Sequence, residues 1–422
     1  MHERYVIRRL GECKVPSPLE SSFFVEPGGG ILVDATVAGC KACKGEPPHL
    51  EQAGPRRSVY FDPVSCGAAI VTCGGLCPGL NDVIRALTMV LWYRYGVRRI
   101  LGLQYGYEGL VPSFGHEPII LTPEIVEDIH QKGGTILGSS RGPQDVPTML
   151  NFLVANRIQL LFTIGGDGTQ RGALEIVQEA EKRQLDLAVI GIPKTIDNDV
   201  SFTDRTFGFE TAIAMTRAPL NAAHMEARGA RNGVGLVKLM GRESGFVAAY
   251  ATLASSDANL VLIPEVPFRL EKVLTWLEAR LARKSHALIV AAEGAGQDLV
   301  TEAGTDASGN RKLGDIGLFL KKAITAHFRE QKVEVNVKYI DPSYTIRSAP
   351  ASADDSVFCF HLGEKAVHAA MSGRTGMVVG LWNGHFVHVP MEEAVSARKK
   401  IDPAGAFWQS VLDNTGQPSR LM

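Results

Sequence analysis

The chain has 422 residues, 45% of them hydrophobic, and its Lys+Arg 44 against Asp+Glu 45 leave a formal net charge of -1. That balance, with no block of like charge, argues against nucleic acid or an anionic membrane as the main partner, and no apolar run approaches the ~20 residues that span a bilayer. The length exceeds what one hydrophobic core usually supports, so two domains are expected.

The N-terminal MHERYVIRRLGECK has no apolar core of a signal peptide, which makes a cytoplasmic protein the expectation. Residues 1–65 mix Pro, Gly and charge without periodicity (VPSPLESSFFVEPGGG, KGEPPHLEQAGPRR), predicting an extended arm across the core rather than a packed domain. Its CxxC, Cys40 and Cys43, has no second pair at zinc-site spacing, and seven cysteines make a poor disulfide framework for this length. From Gly67 a strand (GAAIVTC) leads through a glycine loop to a helix near Asn81–Tyr95. RRILGL, QLLFTIGG and LAVIGIP read as further strands, the last two separated by a helix from Gln170 to Arg183. After Phe209 the logic repeats: a helix through Glu226, the run GVGLVKLM, a helix near Phe246, ANLVLIP, a helix from Arg269, and HALIVAAEG. Two such series predict an α/β protein of two domains, with mainly parallel sheets flanked by helices and a ligand site between them. At the other end, SRL falls one residue short of the C-terminus and is no peroxisomal tripeptide.

The strand LLFTIGG runs directly into Asp167, Gly168, Thr169 and Gly172. Glycines at a strand end and helix start let backbone amides approach a phosphate, and the helix dipole favours the anion. Asp167 among those amides suits Mg2+ bridging phosphates. The spacing is not the dinucleotide fingerprint, and no Walker A lysine motif occurs. A second strand ends in Pro193-Lys194-Thr195-Ile196-Asp197-Asn198-Asp199. If that segment is extended, Asp197 and Asp199 project in similar directions, one to accept a hydroxyl proton and the other to hold metal or orient the first. The loop Gly74-Gly75-Leu76-Cys77-Pro78-Gly79 adds further amides, and GSSRGP supplies the fixed charge of Arg141.

GGLCPGLNDVIR, GGDGTQRGA, PKTIDND, TFGFETA, KLMGRESGF, AAEGAGQ and YIDPSYTIR together resemble the 6-phosphofructokinase family over nearly all of residues 66–390, most closely its ATP-dependent plant and trypanosomatid subgroup. The resemblance implies a glycolytic reaction, transfer of the γ-phosphoryl of MgATP to the C1 hydroxyl of fructose 6-phosphate. It also implies roles. Asp197 is the proton acceptor, Asp167 holds Mg2+, and Gly75, Arg141, Gly142, Gly166 to Thr169 and Gly172 line the ATP site. Thr195, Ile196, Asp197, Asp199, Met240, Gly241, Arg242 and Glu293 surround the sugar and the transferring group, with Thr195 and Arg242 assisting Asp197 in catalysis. Lys338, Tyr344 and Arg347 face the 6-phosphate. The implied domains are the arm 1–65, an ATP-binding domain 66–208 completed from 346–390, and a sugar-binding domain 209–345 completed from 391–422.

Donor choice turns on Gly168 and Lys194. Pyrophosphate-dependent relatives resemble this chain in having Lys at the second position but carry Asp at the first, where it would crowd and repel the α-phosphate. Gly168 therefore points to ATP, as does the subgroup's own pairing of this Gly with this Lys. Gly233 and Lys338 stand where short bacterial enzymes have arginines, one of them offered by a neighbouring subunit, and Tyr344 stands for a bacterial histidine. A homo-oligomer, by resemblance a tetramer, is the expectation. The rival readings are a pyrophosphate-dependent phosphofructotransferase, a lipid or NAD kinase sharing only GGDG, and a non-catalytic regulatory subunit of the same fold.

Overall fold

The computed structural model describes residues 3–42, 45–300, 304 and 312–422; Cys43 of the CxxC lies outside them. The chain forms two compact units, one of residues 1–195, 200–207 and 349–397, the other of residues 196–199, 208–348 and 398–422.

In the first unit nine strands form one sheet, in the order Gly30–Leu32, His49–Gln52, His385–Pro390, Met377–Trp382, Ala188–Pro193, Leu160–Gly165, Gly67–Thr72, Arg99–Leu103 and Ile119–Ile120. The five strands from Met377–Trp382 to Arg99–Leu103 are mutually parallel, and every pairing outside them is antiparallel. Gly67–Thr72, Leu160–Gly165 and Ala188–Pro193 are buried at every residue. Strands covered on both faces need apolar side chains on both, which is why these read as unbroken apolar runs. The arm contributes more than an overlay: Gly30–Leu32 and His49–Gln52 extend this sheet, with Glu51 in register with His388.

The second unit holds a four-stranded, wholly parallel sheet in the order Leu260–Leu262, His286–Ala292, Gly233–Leu239 and Asn336–Ile340. Its side chains sort by the two-residue repeat of a strand. Val237, Leu239, Leu288 and Val290 share a core with the helices Phe209–Gly229, Phe246–Ser255 and Ala406–Thr415. Val234, Leu236, Ala287 and Ile289 share another with Leu270–Lys284 and Ile316–Glu330.

Two helices differ from their sequence expectation in ways that matter. The Asn81–Tyr95 segment is an α-helix only over Leu80–Met89; it continues as a π-helical turn, Val90–Tyr95, closed by Gly96 in the left-handed region. The helix expected from Gln170 begins at Asp167, directly after Gly166. Asp167 and Gly168 therefore occupy its first turn, where backbone N–H groups have no intrahelical acceptor.

Candidate active site

Three loops of the first unit meet at the carboxyl ends of its parallel strands. Cys73 donates its N–H to Ile164 O (2.9 Å) and Lys194 donates to Gly165 O (2.9 Å), which continues the sheet registers into the loops. Gly74, at φ +84°, donates to Ser140 O (3.0 Å), and Ser139 Oγ donates to Gly74 O (2.6 Å). The Lys194 ammonium donates to Gly75 O at 2.7 Å. A Cβ on Gly75 would lie 3.5 Å from the Arg141 guanidinium, and one on Gly166 would lie 3.5 Å from Lys194 O. Gly75, Arg141, Gly166 and Lys194 are thus one cluster, with Gly142 beside Arg141 at φ +101°. Thr195 accepts at its carbonyl from Thr206 Oγ1 (2.6 Å).

The glycines here serve different ends. A Cβ on Gly168 would meet nothing within 4 Å, so the space in front of it is open. Gly172 instead lies against protein: a Cβ there would come within 2.9 Å of the Tyr107 ring. That ring is fixed because Tyr107 Oη donates to Thr169 O at 2.6 Å. Gly172 lets a buried tyrosine hold the first turn of the helix in place.

The second unit carries the carboxylates. Ile196–Asp199 is not extended: Asn198 sits at φ +57°, a conformation that Asn tolerates better than most residues. The turn sends the two aspartates to different partners. Asp197 Oδ2 accepts the Arg242 backbone N–H at 3.3 Å. Asp199 Oδ2 accepts from Arg398 at 2.9 Å, and Asp199 O accepts the Lys399 N–H at 2.8 Å. Asp197 is only partly covered as a residue, but its Oδ1 is shut off from solvent. Burial pushes its carboxyl up to about 8, the Asp199 and Glu293 carboxylates add repulsion, and the Arg242 amide and Arg398 oppose them. Glu293 is also raised, chiefly by burial, with Lys238 and Arg242 pulling it back.

Glu293 and Arg242 stand at the ends of neighbouring parallel strands that keep pairing beyond the sheet: Glu293 donates to Leu239 O and Gly294 to Gly241 O, each at 2.9 Å. Gly241, at φ +127°, has no room for a side chain, since a Cβ would lie 2.5 Å from Ser244 O. Tyr344 is exposed and Arg347 half-buried, the guanidinium 4.3 Å from the ring centroid. Lys338 lies 3.7 Å from Glu226. Met240 lies in the unit's hydrophobic core, and the half-buried Ile196 packs against it.

Sequence reasoning missed Arg398 and Lys399, which return from far along the chain to Asp199 and Asn198. It missed Glu265, whose Oε1 accepts from Gly245 N–H and Ile401 N–H, each at 3.0 Å. It also missed Lys238 with Asp315 and Asp341. The lysine was visible as a lone charge in the run GVGLVKLM; the others carry no local signal. The departure at Gly233 has a steric cause, because a Cβ there would lie 2.0 Å from Ala227 O.

Parallel sheets that end in glycine loops and a helix N-terminus place this protein among the α/β phosphate-binding proteins. The phosphofructokinase family model matches residues 67–370, and the chain belongs to that family. It is 48% identical to the ATP-dependent 6-phosphofructokinase of Borreliella burgdorferi, across 98% of this chain and 97% of that one. It is 47% identical to ATP-dependent 6-phosphofructokinase 7 of Arabidopsis thaliana, across 88% of this chain and 78% of the relative. Among solved structures, the pyrophosphate-dependent phosphofructokinase of Marinobacter aquaeolei superposes with a TM-score of 0.69, covering 83% of this chain and 91% of that one. At 20% identity that likeness speaks to the fold.

Proposed function

We propose that this protein is an ATP-dependent 6-phosphofructokinase, which transfers the γ-phosphoryl group of ATP to the C1 hydroxyl of fructose 6-phosphate. The observation that carries this reading is 48% identity to an enzyme of that name over nearly the full length of both chains. ATP is assigned to the unit built around residues 66–208, and the sugar phosphate to the unit built around 209–345.

Backbone amides at Gly75 and Gly166–Gly168 bind the phosphates, since those of Gly74 and Thr169 are taken by Ser140 O and Gly166 O, and Arg141 offsets their charge. Among the described residues no three His, Cys, Asp or Glu side chains gather to hold a metal ion. That argues against an all-protein cage and fits Mg2+, which is commonly held by one or two carboxylates with phosphate oxygens and waters. Asp167, in the first helical turn, is the residue that would hold it. Bound there, Mg2+ supplies neutralisation of phosphate charge.

Asp197 accepts the proton of the attacking hydroxyl. A carboxyl raised to about 8 is a far stronger base than an ordinary aspartate and is still partly ionised at neutral pH. Asp199, fixed by Arg398, and the Arg242 N–H keep Asp197 in place, while the Arg242 side chain offsets charge that develops on the transferring group. Tyr344, Arg347 and Lys338 are assigned to the 6-phosphate. The open space before Gly168 supports a nucleotide donor. Lys194, bonded to Gly75 O, serves the Gly74-Gly75 loop.

Lys194 is also the feature that favours pyrophosphate as donor, so a coupled assay with fructose 6-phosphate, run separately with ATP and with pyrophosphate, decides. Turnover with ATP is expected; turnover with pyrophosphate alone would overturn the reading. No helix among the described residues is long and apolar enough to cross a membrane, and a cytoplasmic homo-oligomer, a tetramer, completes the proposal. Light scattering that returns the mass of a single chain would remove that last part.

A further inference from the structure

Lys238 is the only charged residue of the strand Gly233–Leu239, whose other six positions are all buried. Its side chain is 13% exposed. A lysine so placed must be paired, because an unpaired ammonium in an apolar strand is strongly disfavoured. Its Nζ lies 2.9 Å from an Asp341 oxygen and 3.1 Å from an Asp315 oxygen. Burial works against the charge, but Asp341 and Asp315 outweigh it and hold the ammonium above the ordinary lysine range.

Each partner begins a different segment. Asp315 caps the helix Ile316–Glu330 by accepting the Leu318 N–H at 2.9 Å, and it also accepts from Tyr339 Oη. Asp341 accepts from Ser343 N–H (3.1 Å) and Ser343 Oγ (2.6 Å), which sets up the single turn Ser343–Arg347. That turn carries Tyr344 and Arg347. Two residues beyond Lys238 the same strand leads into Met240-Gly241-Arg242, and Lys238 is the strongest of the charges that oppose the rise of Glu293. Gln297 closes the ring by donating to Glu293 O (2.7 Å) and Gly314 O (3.0 Å).

One ammonium therefore ties the strand that leads to Arg242, the helix that starts after Asp315, and the turn that bears Tyr344 and Arg347. None of these groups is part of the phosphate loops of the first unit. We infer that Lys238 is a positioning residue for the sugar phosphate: through Asp341 it fixes the Tyr344–Arg347 turn relative to the Met240–Arg242 loop. Without the ammonium, Asp315 and Asp341 are left as like charges with no cation between them, and the turn shifts. The inference rests on the assignment of fructose 6-phosphate to this unit.

Steady-state kinetics of the full chain, with ATP and fructose 6-phosphate varied in turn, test it on wild type, Lys238→Met, Lys238→Arg and Asp341→Asn. For Lys238→Met the KM for fructose 6-phosphate is expected to rise on the order of 10-fold or more, as for a misplaced binding group. The KM for ATP should stay within about twofold and kcat within about threefold, with Lys238→Arg restoring most of the affinity. An unchanged KM for fructose 6-phosphate, or equal increases for both substrates, overturns the inference. If Lys238→Met does not fold, Asp341→Asn carries the same two outcomes, since Asn keeps an oxygen for Ser343. A wild-type chain that binds no fructose 6-phosphate by calorimetry defeats the substrate assignment and this inference with it. Normal wild-type turnover beside unaltered variants defeats this inference alone.

Discussion

Asp197 is held where ionisation is disfavoured, and the proposed role asks it to accept a proton there. Its neighbours include two carboxylates, Asp199 and Glu293, against the Arg242 amide and Arg398. With the carboxyl raised to about 8, kcat/KM should fall about tenfold per pH unit below that value, because only the ionised form accepts a proton. Asp197→Asn is expected to lower kcat by ~10² to 10⁴ with substrate binding near normal; unchanged turnover would remove Asp197 from its assigned role. Stability should move the other way. Between the unfolded value near 4 and the folded value of about 8, the folded state holds the proton more tightly. The stabilising contribution is therefore full at acid pH and is lost as pH rises through about 8. Above pH 8 the Asn variant should melt higher than wild type, by roughly 1 to 3 kcal/mol of added stability. A lower melting temperature for the variant at pH 9 would contradict the electrostatic account. Such residues were legible because their chemistry is local: Asp167, Gly168, Asp197 and Asp199 fall at strand ends marked by glycine or proline. Lys238 was harder to weigh, since its meaning lies in Asp315 and Asp341, each more than 70 positions away.

At the scale of elements, the helix Asp167–Lys182 joins the turn assigned to phosphate with tight packing. Tyr107 fixes its first turn from the side, and Gly172 makes room for the ring. Gly168 lies in the same turn but faces open space. Aspartate is favourable near a helix N-terminus, so Gly168→Asp should fold normally, with stability within about 0.5 kcal/mol of wild type. Its carboxylate would project into the space assigned to the nucleotide, and kcat/KM with ATP should fall by on the order of 10² or more through repulsion of phosphate. Equal activity with ATP in a folded variant would show that this turn does not select the donor. The alternation of βα units was readable because fully buried parallel strands leave unbroken apolar runs, as in LLFTIGG and LAVIGIP. The arm strands Gly30–Leu32 and His49–Gln52 were not readable, being three and four residues long. Nor does Pro219 end its helix, which runs on from Phe209 to Gly229. Proline removes one donor from the ladder, and the tertiary packing of Leu220 and Ala223 outweighs the local cost.

At the scale of the whole molecule, contacts between distant parts of the sequence hold both units, and the seam of the arm is rich in charge. Glu51 pairs with Arg374, with Arg56 at 2.8 Å and with Arg9 at 3.3 Å. It faces His388 at 3.7 Å across the strand register. Burial pushes the Glu51 carboxyl up, but His388 and Arg374 beside it prevail and hold it well below the carboxylate range. Burial, helped by the Arg374 and Arg56 charges, lowers His388 to about 4 against the pull of Glu51. The imidazole is therefore neutral in the folded chain and must gain a proton in the interior on acidification. An unfolded histidine binds its proton near pH 6.5, so stability is full above that value and falls as pH drops toward 4. Between pH 7 and pH 5 the loss should reach about 2 kcal/mol, enough to lower the melting temperature of a unit this size by several degrees. His388→Leu should flatten that dependence, because the protonation that drives it is gone, while Glu51 retains its arginines and begins to lose its contribution only below about pH 4.5. Melting curves of both chains at pH 7 and pH 5, with hydrogen exchange followed at His49–Gln52, test this seam. The wild-type arm strand should open first as the pH falls, and an identical pH response in His388→Leu would place the acid-sensitive contact elsewhere.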